Sequence, residues 1–466
     1  FRCELDGTKV DRYSSGERNA QELAFDSFGN LFSMDNDGDY PGEKERALYI
    51  TEGSEHGWRL NWQWLRKQDF TKISGISAYN PWMEEKLFLP DRDDFAAYIT
   101  PTIGNFGPGP CGFTNNPGTA LSKDLADCFF MTNQQNQIRV FKFLPKGASF
   151  KFEELKPIKG GIGNTGLAIG PDGALYSASW GSGKGFIFRF DTESEKDHHP
   201  ARSETQKILG LSSKEQSIET LALWLDSPDQ RVRMKAQFEL VRRGDQGLKA
   251  FEEKLDSGTL LGQLHAVWGI GMASRKDSSK LNLLRNAWTS KNAEVIAQAA
   301  KVSGDLGKPS EKYKEELING IDHDNDRVKF FSAIALGNNK IKGASGKIVN
   351  LISGPGSKDP YLRHAGSMAL SGSMSADEIA ALSNHPNKSV KLAAIVAMRR
   401  IAAPEIRAFL KDADELILLE AARAIHDDQS IPEALPDLAA LLDRKGLKNE
   451  ALIRRALNAA LRTGSG

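Results

Sequence analysis

Residues 14–62 read SSGERNAQELAFDSFGNLFSMDNDGDYPGEKERALYITEGSEHGWRLNW, and this stretch decides how the amino-terminal part of the chain is interpreted. Two short apolar runs flank a Phe-Gly-Asn turn at residues 28–30, a pattern that predicts a β-hairpin. Arg18 and Asn19 precede the first strand, and the acidic run 35–39 follows the second. Cationic donors and carboxylate or carbonyl groups flanking one hairpin could bind an anionic cofactor and a hard cation. A solvated hairpin end contains the same residue types, so the pattern alone leaves both interpretations open.

The composition is that of an ordinary globular protein. Hydrophobic residues make up 40% of the 466 and charged residues 26%, and at about 150 residues per domain the chain is long enough for more than one domain. Lys plus Arg and Asp plus Glu both number 61, so no charge excess draws the chain to nucleic acid or to anionic lipid. The sequence has no apolar run of about 18 residues and therefore predicts no membrane span.

The three cysteines are Cys3, Cys111 and Cys128, and no CxxC or CxxCH motif occurs. The sequence therefore predicts no zinc ribbon and no haem attachment within this chain. Cys111 and Cys128 form a disulfide if the protein is exported, or stay as two buried thiols; the sequence leaves both alternatives open. Because the chain starts at Phe1 within a strand-like segment, we expect it to be a fragment or a processed chain.

Residues 1–192 are rich in glycine, aromatic residues and turn signals, and short strand patterns recur along them. The segments 20–36 and 164–180 repeat one hairpin pattern, which is what a β-propeller predicts. About three blade-like units are recognisable, fewer than the roughly 4–8 of a propeller. We therefore expect further blades upstream of Phe1.

Residues 193–213 are polar and contain Pro200, which predicts a linker, and residues 214–466 follow a helical period. Within the helical part an Asp or Asn turn repeatedly precedes an amphipathic helix, so these residues are predicted N-caps. Spacings of 26 to 36 residues between apolar anchors predict HEAT- or armadillo-like repeats. The anchors are Val232, Leu264, Val295, Val328, Leu362, Val390, Leu416 and Leu452.

Two motifs of the opening stretch, GERNAQELAFDSFGNLFSMD and EGSEHGW, resemble the pattern of soluble quinoprotein glucose/sorbosone dehydrogenases. Members of that family are six-bladed β-propellers that bind pyrroloquinoline quinone (PQQ) and calcium. The resemblance implies that Arg18 and Asn19 contact the quinone and that Asp37 and Gly38 hold calcium. The whole chain is also similar to large planctomycete and verrucomicrobial proteins described as membrane-bound dehydrogenases, which join a propeller to HEAT repeats and often to a cytochrome c domain. The expected fold is thus the C-terminal blades of a six-bladed propeller followed by an α-helical HEAT/armadillo-like solenoid.

The chain departs from the family pattern at three cationic positions. Gln134 lies nearest the place of a family lysine, and Thr165 and its neighbours stand where the family has two arginines. Neutral groups at Gln134 and Thr165 would bind the quinone carboxylates more weakly than ionised partners do. The general-base histidine of the family is expected upstream of Phe1, and His56 is interpreted as a packing residue.

Three functions remain as hypotheses. The first is an exported, periplasmic oxidoreductase that oxidises a sugar or another alcohol with PQQ and Ca²⁺ and passes electrons to a c-type cytochrome. Haem c would then belong to a downstream domain, and the parent protein could be membrane-associated. The alternative is a non-catalytic, calcium-stabilised propeller with a HEAT scaffold that binds carbohydrate or a protein partner. A metal-dependent lactonase-like hydrolase is the third.

Overall fold

The computed structural model of the chain describes residues 1–38, 42–59, 81–90, 92, 94–107, 109–133, 137–159, 164–180, 183–306, 310–428 and 431–464. The strands are β1 (Ser14–Ser15), β2 (Ala20–Phe25), β3 (Leu31–Asp35), β4 (Glu45–Ile50), β5 (Ser54–Glu55), β6 (Gly104–Phe106), β7 (Pro110–Asn115), β8 (Phe129–Asn133), β9 (Gln137–Lys146), β10 (Ser149–Glu154), β11 (Ile158–Lys159), β12 (Asn164–Ile169), β13 (Leu175–Ser179) and β14 (Phe186–Phe190). The helices are α1 (Pro81–Glu84), α2 (Arg202–Gly210), α3 (Ile218–Trp224), α4 (Gln230–Arg242), α5 (Asp245–Ser257), α6 (Leu260–Lys276), α7 (Arg285–Trp288), α8 (Ala293–Gly304), α9 (Lys314–Gly320), α10 (Asp326–Asn338), α11 (Ser345–Ser353), α12 (Pro360–Ser373), α13 (Ala376–Ala381), α14 (Lys388–Ile401), α15 (Glu415–His426), α16 (Leu435–Ala439) and α17 (Glu450–Thr463).

The chain folds into two compact units. Unit 1 contains Phe1–Gly16, Gly53–Pro101 and Gly307–Gly466, and unit 2 contains Glu17–Glu52 and Thr102–Leu306. Each unit thus combines segments that are far apart in the sequence. The division into 1–192, 193–213 and 214–466 stays a prediction, although α2 lies within the segment interpreted as a linker.

The described residues of unit 2 form three antiparallel sheets. Their strand orders are β2-β3-β4-β6, β7-β8-β9-β10 with β11 paired to β9, and β12-β13-β14. The aromatic rings of Phe32 and Phe143 stack at a centroid distance of 4.2 Å, and Phe129 and Phe150 pack edge-on against Phe32. These rings join two of the sheets through one apolar core, because each strand directs alternate side chains to the same face.

The predicted six-bladed propeller is wrong. The sheets are small, and within the described ranges none of them closes into a propeller. The predicted hairpin does form, since β2 and β3 pair antiparallel around the turn at residues 28–30. Turn signals determine such local pairings, whereas the arrangement of whole sheets depends on contacts between distant segments.

The helical-repeat prediction is confirmed in its local details. Seven of the eight anchors are buried, while Leu416 is half-buried and Ile417 takes the buried place in α15. The predicted caps also form at eight helices, where a side-chain oxygen of the residue before the helix accepts a backbone N–H of its first turn. These residues are Asp229, Asn292, Asn325, Asp359, Asn387, Asp414 and Asn449, and Thr259 has this role at α6.

In unit 1, β1 and β5 form a short parallel pair, and α10, α12, α14, α15 and α17 pack side by side in chain order. Trp82, Tyr98 and Ile99 bury against Val396 of α14. Among the described helices, none is both long and apolar enough to cross a membrane. Cys3, Cys111 and Cys128 are all free thiols, so the structure corresponds to the unbridged alternative for Cys111 and Cys128.

Candidate functional site

The end of the β2–β3 hairpin brings four of the predicted site residues together. The backbone N–H groups of Arg18 and Asn19 donate to the carboxylate of Asp35 at 3.1 and 2.7 Å. The Arg18 guanidinium donates to the carbonyl oxygen of Asn36 at 2.9 Å. The Arg-Asn pair is therefore part of the hydrogen bonding that closes the hairpin.

The predicted calcium residues lie beside a buried arginine. The N–H groups of Asp37 and Gly38 donate to Glu45 Oε2 at 2.6 and 3.1 Å. Arg46 is 2.5 Å from Asp35 Oδ2, and its Nε is 3.2 Å from Asp37 Oδ2. Burial raises the pKa of Asp37 to about 8, and Arg46 opposes this shift. The Arg46 guanidinium supplies positive charge beside both carboxylates, whereas neither carboxylate oxygen of Asp37 accepts a hydrogen bond within the described residues, so calcium binding at this cluster stays a prediction.

The other predicted site residues do not add to this cluster. Thr165 lies on β12, where its hydroxyl donates to the carbonyl oxygen of Ala178 on β13 at 3.5 Å. Gln134 lies outside the described residues. In the described part of the chain, no three His, Cys, Asp or Glu side chains are grouped so that they could hold a metal ion. Calcium and PQQ binding stay predictions, and no catalytic step is derived from them.

Removing calcium tests the cluster directly. We expect the thermal midpoint to change by less than about 1 °C between about 2 mM Ca²⁺ and EGTA, because the Arg46 guanidinium is covalently part of the site. Asp37→Asn keeps the side-chain shape and is expected to give the same result. A site filled at 100 times its Kd would raise the free energy of unfolding by roughly 2.7 kcal/mol. A calcium-dependent increase of that size, abolished by Asp37→Asn, would contradict this expectation.

A second feature of unit 2 is an open cleft of about 580 Å³. Its lining includes Leu23 and Phe25 of β2 and Met234 and Phe238 of α4. Phe25 is 50% exposed and Phe238 is 49% exposed, so these rings are left in solvent. Trp268 on α6 also lines the cleft, and its indole N–H donates to Gln298 at 2.9 Å. Exposed apolar side chains that line an open cleft are typical of a binding surface.

The local pattern of each element explains this exposure. Strand β2 alternates, with Ala24 buried between the exposed Leu23 and Phe25. Helix α4 buries one apolar stripe in the repeat packing and places Met234 and Phe238, four residues apart, on another face. The helix is thus apolar on two faces, which the packing of the repeat alone does not require.

A buried histidine is among the residues that line the cleft. His265 on α6 is 1% exposed, and its Nδ1 lies 2.7 Å from Gln237 Oε1. The other ring nitrogen, Nε2, has no hydrogen-bond partner among the described residues. Burial lowers the pKa of His265 to about 3, with the positive charge of Arg233 acting in the same direction. The imidazole is therefore neutral at neutral pH.

The charged groups of the cleft are cations. The Arg231 guanidinium donates to the carbonyl oxygen of Gly170 at 2.7 Å and to Asp229 at 2.9 Å. Lys301 Nζ donates to the carbonyl oxygen of Gly29 at 3.2 Å. The described lining includes Arg231 and Lys301 but no Asp or Glu. Because Asp229 balances the charge of Arg231, Lys301 is the lining cation that gives the cleft complementarity to an acidic group on a ligand.

Sequence reasoning did not identify this cleft. Residues 226–241 were interpreted as a repeat unit, and Leu23 and Phe25 as part of a hairpin. The available signal was the second apolar face of α4, formed by Met234 and Phe238. The pattern predicts an apolar helix face outside the repeat packing, but it does not predict that β2 lines the same cleft.

Comparison with known proteins gives a limited result. No protein-family model and no curated protein matches the chain. Among solved structures, the complex of CpcE and CpcF of phycocyanin lyase from Nostoc sp. is 23% identical, with 46% of this chain and 94% of that chain covered, at a TM-score of 0.29. An archaeal HEAT-like repeats protein from Thermococcus onnurineus is 14% identical, with 54% and 98% covered, at 0.28. A designed armadillo repeat protein in complex with the peptide (KR)4 is 19% identical, with 53% and 99% covered, at 0.19.

These comparisons correct the family resemblance. All three TM-scores are below 0.5, and the likeness assigns no function to this chain. The three neighbours named above are HEAT- or armadillo-like repeat proteins and a lyase, and the sheets of the described residues are small and do not close into a propeller. The resemblance to quinoprotein dehydrogenases is therefore wrong. Alcohol oxidation, electron transfer to a cytochrome and export stay predictions.

Proposed function

We propose that this chain is a binding scaffold whose unit 2 cleft receives a segment of a partner protein. The observation that carries the proposal is the pair of half-exposed aromatic side chains, Phe25 on β2 and Phe238 on α4, that line one open cleft. Burying such apolar side chains contributes roughly 25 cal/mol per Å², so an apolar segment that fills the cleft gains binding free energy. The partner segment has an aromatic side chain flanked by an acidic residue, since Lys301 gives the wall positive charge.

Peptide selection tests the proposal. A displayed library of peptides about 12 residues long is panned on the full chain, and the enriched peptides are synthesised and titrated by calorimetry. We expect enrichment of an aromatic residue next to Asp or Glu. Phe25→Ser and Phe238→Ser are expected to weaken binding at least tenfold, which is about 1.4 kcal/mol, because each removes one of the exposed rings. Lys301→Glu is expected to weaken the binding of acidic peptides more than the binding of neutral ones.

Leu223→Ser is the matched control. Leu223 is 72% exposed on α3 of the same unit but does not line the cleft, so its replacement removes a comparable apolar group elsewhere. We expect its peptide affinity to equal that of the wild type. Failure to enrich any peptide, or equal affinities for all the variants, would overturn the proposed function.

A further inference from the structure

We propose that β14 is the surface through which two copies of this chain pair, each adding its edge strand to the sheet of the other. The proposal goes beyond the proposed function and concerns another part of unit 2, because no residue of β14 is among the described residues that line the cleft. It would join two three-stranded sheets into one sheet with the strand order β12-β13-β14-β14-β13-β12.

Strand β14 forms one edge of its sheet. It pairs with β13, and no described strand pairs with its other side. A strand at the edge of a sheet presents a row of unpaired backbone N–H and C=O groups to a further strand. The pairing of β13 with β14 runs in continuous register from Leu175 and Phe190 to Ser179 and Phe186, whereas the pairing of β12 with β13 contains a register shift. The edge of β14 is therefore regular enough to accept a further strand.

The side chains of β14, which reads FIFRF, do not protect this edge. Natural edge strands usually carry charged residues, prolines or bulges that prevent pairing with other chains. The charged residue of β14 is Arg189, whose guanidinium donates to Asp172 at 3.1 Å and to Asp191 at 2.7 Å within its own chain. Ile187 is 77% exposed and Phe186 is 47% exposed, so the unprotected edge also leaves apolar surface in water.

The sequence of β14 favours a second copy over an unrelated strand, because the strand is complementary to itself. In an antiparallel pair centred on Phe188, Phe186 lies opposite Phe190 of the other copy, and Ile187 lies opposite Arg189 of the other copy. The three phenylalanines share one face of the strand, with neighbouring ring centroids 6.1 and 6.3 Å apart. The aromatic row of one copy therefore meets the aromatic row of the other. Cross-strand aromatic pairs stabilise a sheet, and no like charges lie opposite each other in this register.

The same register covers the exposed end of the aromatic row. Phe190 packs against the core cluster that contains Leu175, whereas Phe186 at the other end of the row is half-exposed. Pairing places Phe186 of each copy beside Phe190 of the other, so the exposed ring packs next to a core of the second copy. The contact is isologous about a two-fold axis at Phe188, and it closes at a dimer because it uses the β14 edge of both copies.

Self-association of the full chain tests the proposal. One pair of short strands is a small interface, so we expect a weak dimer that forms between about 1 and 200 µM protein in sedimentation velocity. Ile187→Lys adds a charge to the edge and places it opposite Arg189 of the other copy, and it is expected to weaken association by about tenfold or more. Leu223→Lys is the matched control, because Leu223 is 72% exposed on α3, and we expect it to associate as the wild type does.

Hydrogen exchange and a disulfide locate the contact. We expect backbone amides of residues 183–192 to exchange more slowly in the dimer, with those of α4 unchanged. Residues directly opposite each other in an antiparallel pair have Cα atoms about 4.5–5.5 Å apart, within the range of about 4.4–6.8 Å that a disulfide spans. In a Cys3→Ser background, which removes the exposed thiol, we therefore expect mild oxidation to link chains with Phe188→Cys but not chains with Leu223→Cys.

A chain that stays monomeric up to about 200 µM overturns the proposal and leaves the edge to a strand of another protein. A dimer overturns it as well if Ile187→Lys leaves the association unchanged, or if residues 183–192 exchange equally fast in monomer and dimer. A folded Phe188→Cys variant that forms no link overturns the two-fold register that the proposal requires. The association and exchange of the wild-type protein decide the question if that variant does not fold.

Discussion

Replacing Arg455 with methionine is expected to destabilise unit 1 by about 3–5 kcal/mol, because two buried carboxylates lose the cation that they share. Arg455 on α17 lies 2.7 Å from Asp427 and 2.6 Å from Glu85. The three side chains are between 4% and 6% exposed. Burial alone would raise the pKa of Asp427, but the charge of Arg455 holds it well below its ordinary range, so Asp427 is ionised in the folded protein.

The neighbouring Arg454 provides the control. Its side chain is 48% exposed and pairs with Glu450, which is 73% exposed, one turn earlier on the same helix. Surface pairs of this kind contribute about 0.3–0.5 kcal/mol, so Arg454→Met is expected to have a small effect. Urea unfolding followed by circular dichroism measures both variants. Similar losses for Arg454→Met and Arg455→Met would show that the buried network is not a source of stability.

Replacing Gly372 with alanine is expected to destabilise unit 1 by about 3 kcal/mol, because the added methyl group would overlap the backbone of the adjacent helix. A Cβ at Gly372 on α12 would lie 2.0 Å from the carbonyl oxygen of Gly337 on α10. Conversely, a Cβ at Gly337 would lie 2.3 Å from the carbonyl oxygen of Met368. Both contacts are to backbone atoms, which cannot rotate away, so α10 and α12 would have to separate.

Gly346→Ala is the matched control with the opposite expected sign. Gly346 is an exposed residue of α11, and no atom lies within 4 Å of the position of its Cβ. Alanine is favoured over glycine inside a helix by about 0.5–1 kcal/mol, so this variant is expected to be slightly more stable than the wild type. Thermal unfolding measures both changes. An unchanged midpoint for Gly372→Ala would mean that the close helix contact tolerates a methyl group.

The helical repeats illustrate what local patterns can predict. An Asp or Asn followed by an amphipathic segment predicted both the cap and the start of each helix, as at Asn325 and Asn387. Leu416, the one predicted anchor that is only half-buried, is explained by the position of its cap. Because Asp414 caps α15, the third helical residue is Ile417, and Leu416 lies one position before the buried stripe. Capping and the 3.6-residue period act within one helix, so the sequence is sufficient to predict them.

The hairpin cluster shows where residue type misleads. The family resemblance assigned Arg18 and Asn19 to the quinone and Asp37 and Gly38 to calcium, and Asp35 was part of the same acidic run. The residue that decides their chemistry is Arg46, which approaches both carboxylates from β4. Strand pairing brings this guanidinium to the site, and the acidic run itself contains no signal for it.

The amino-acid sequence by itself determined the β2–β3 hairpin, the helix caps and the buried face of each repeat, because these depend on residues only a few positions apart. Only the tertiary structure decided that the described sheets do not close into a propeller, that Arg46 lies beside both Asp35 and Asp37, and that Phe25, Phe238 and His265 line one cleft. These features join segments up to about 240 residues apart, and the burial of distant apolar and charged groups, which no local pattern encodes, brings such segments together.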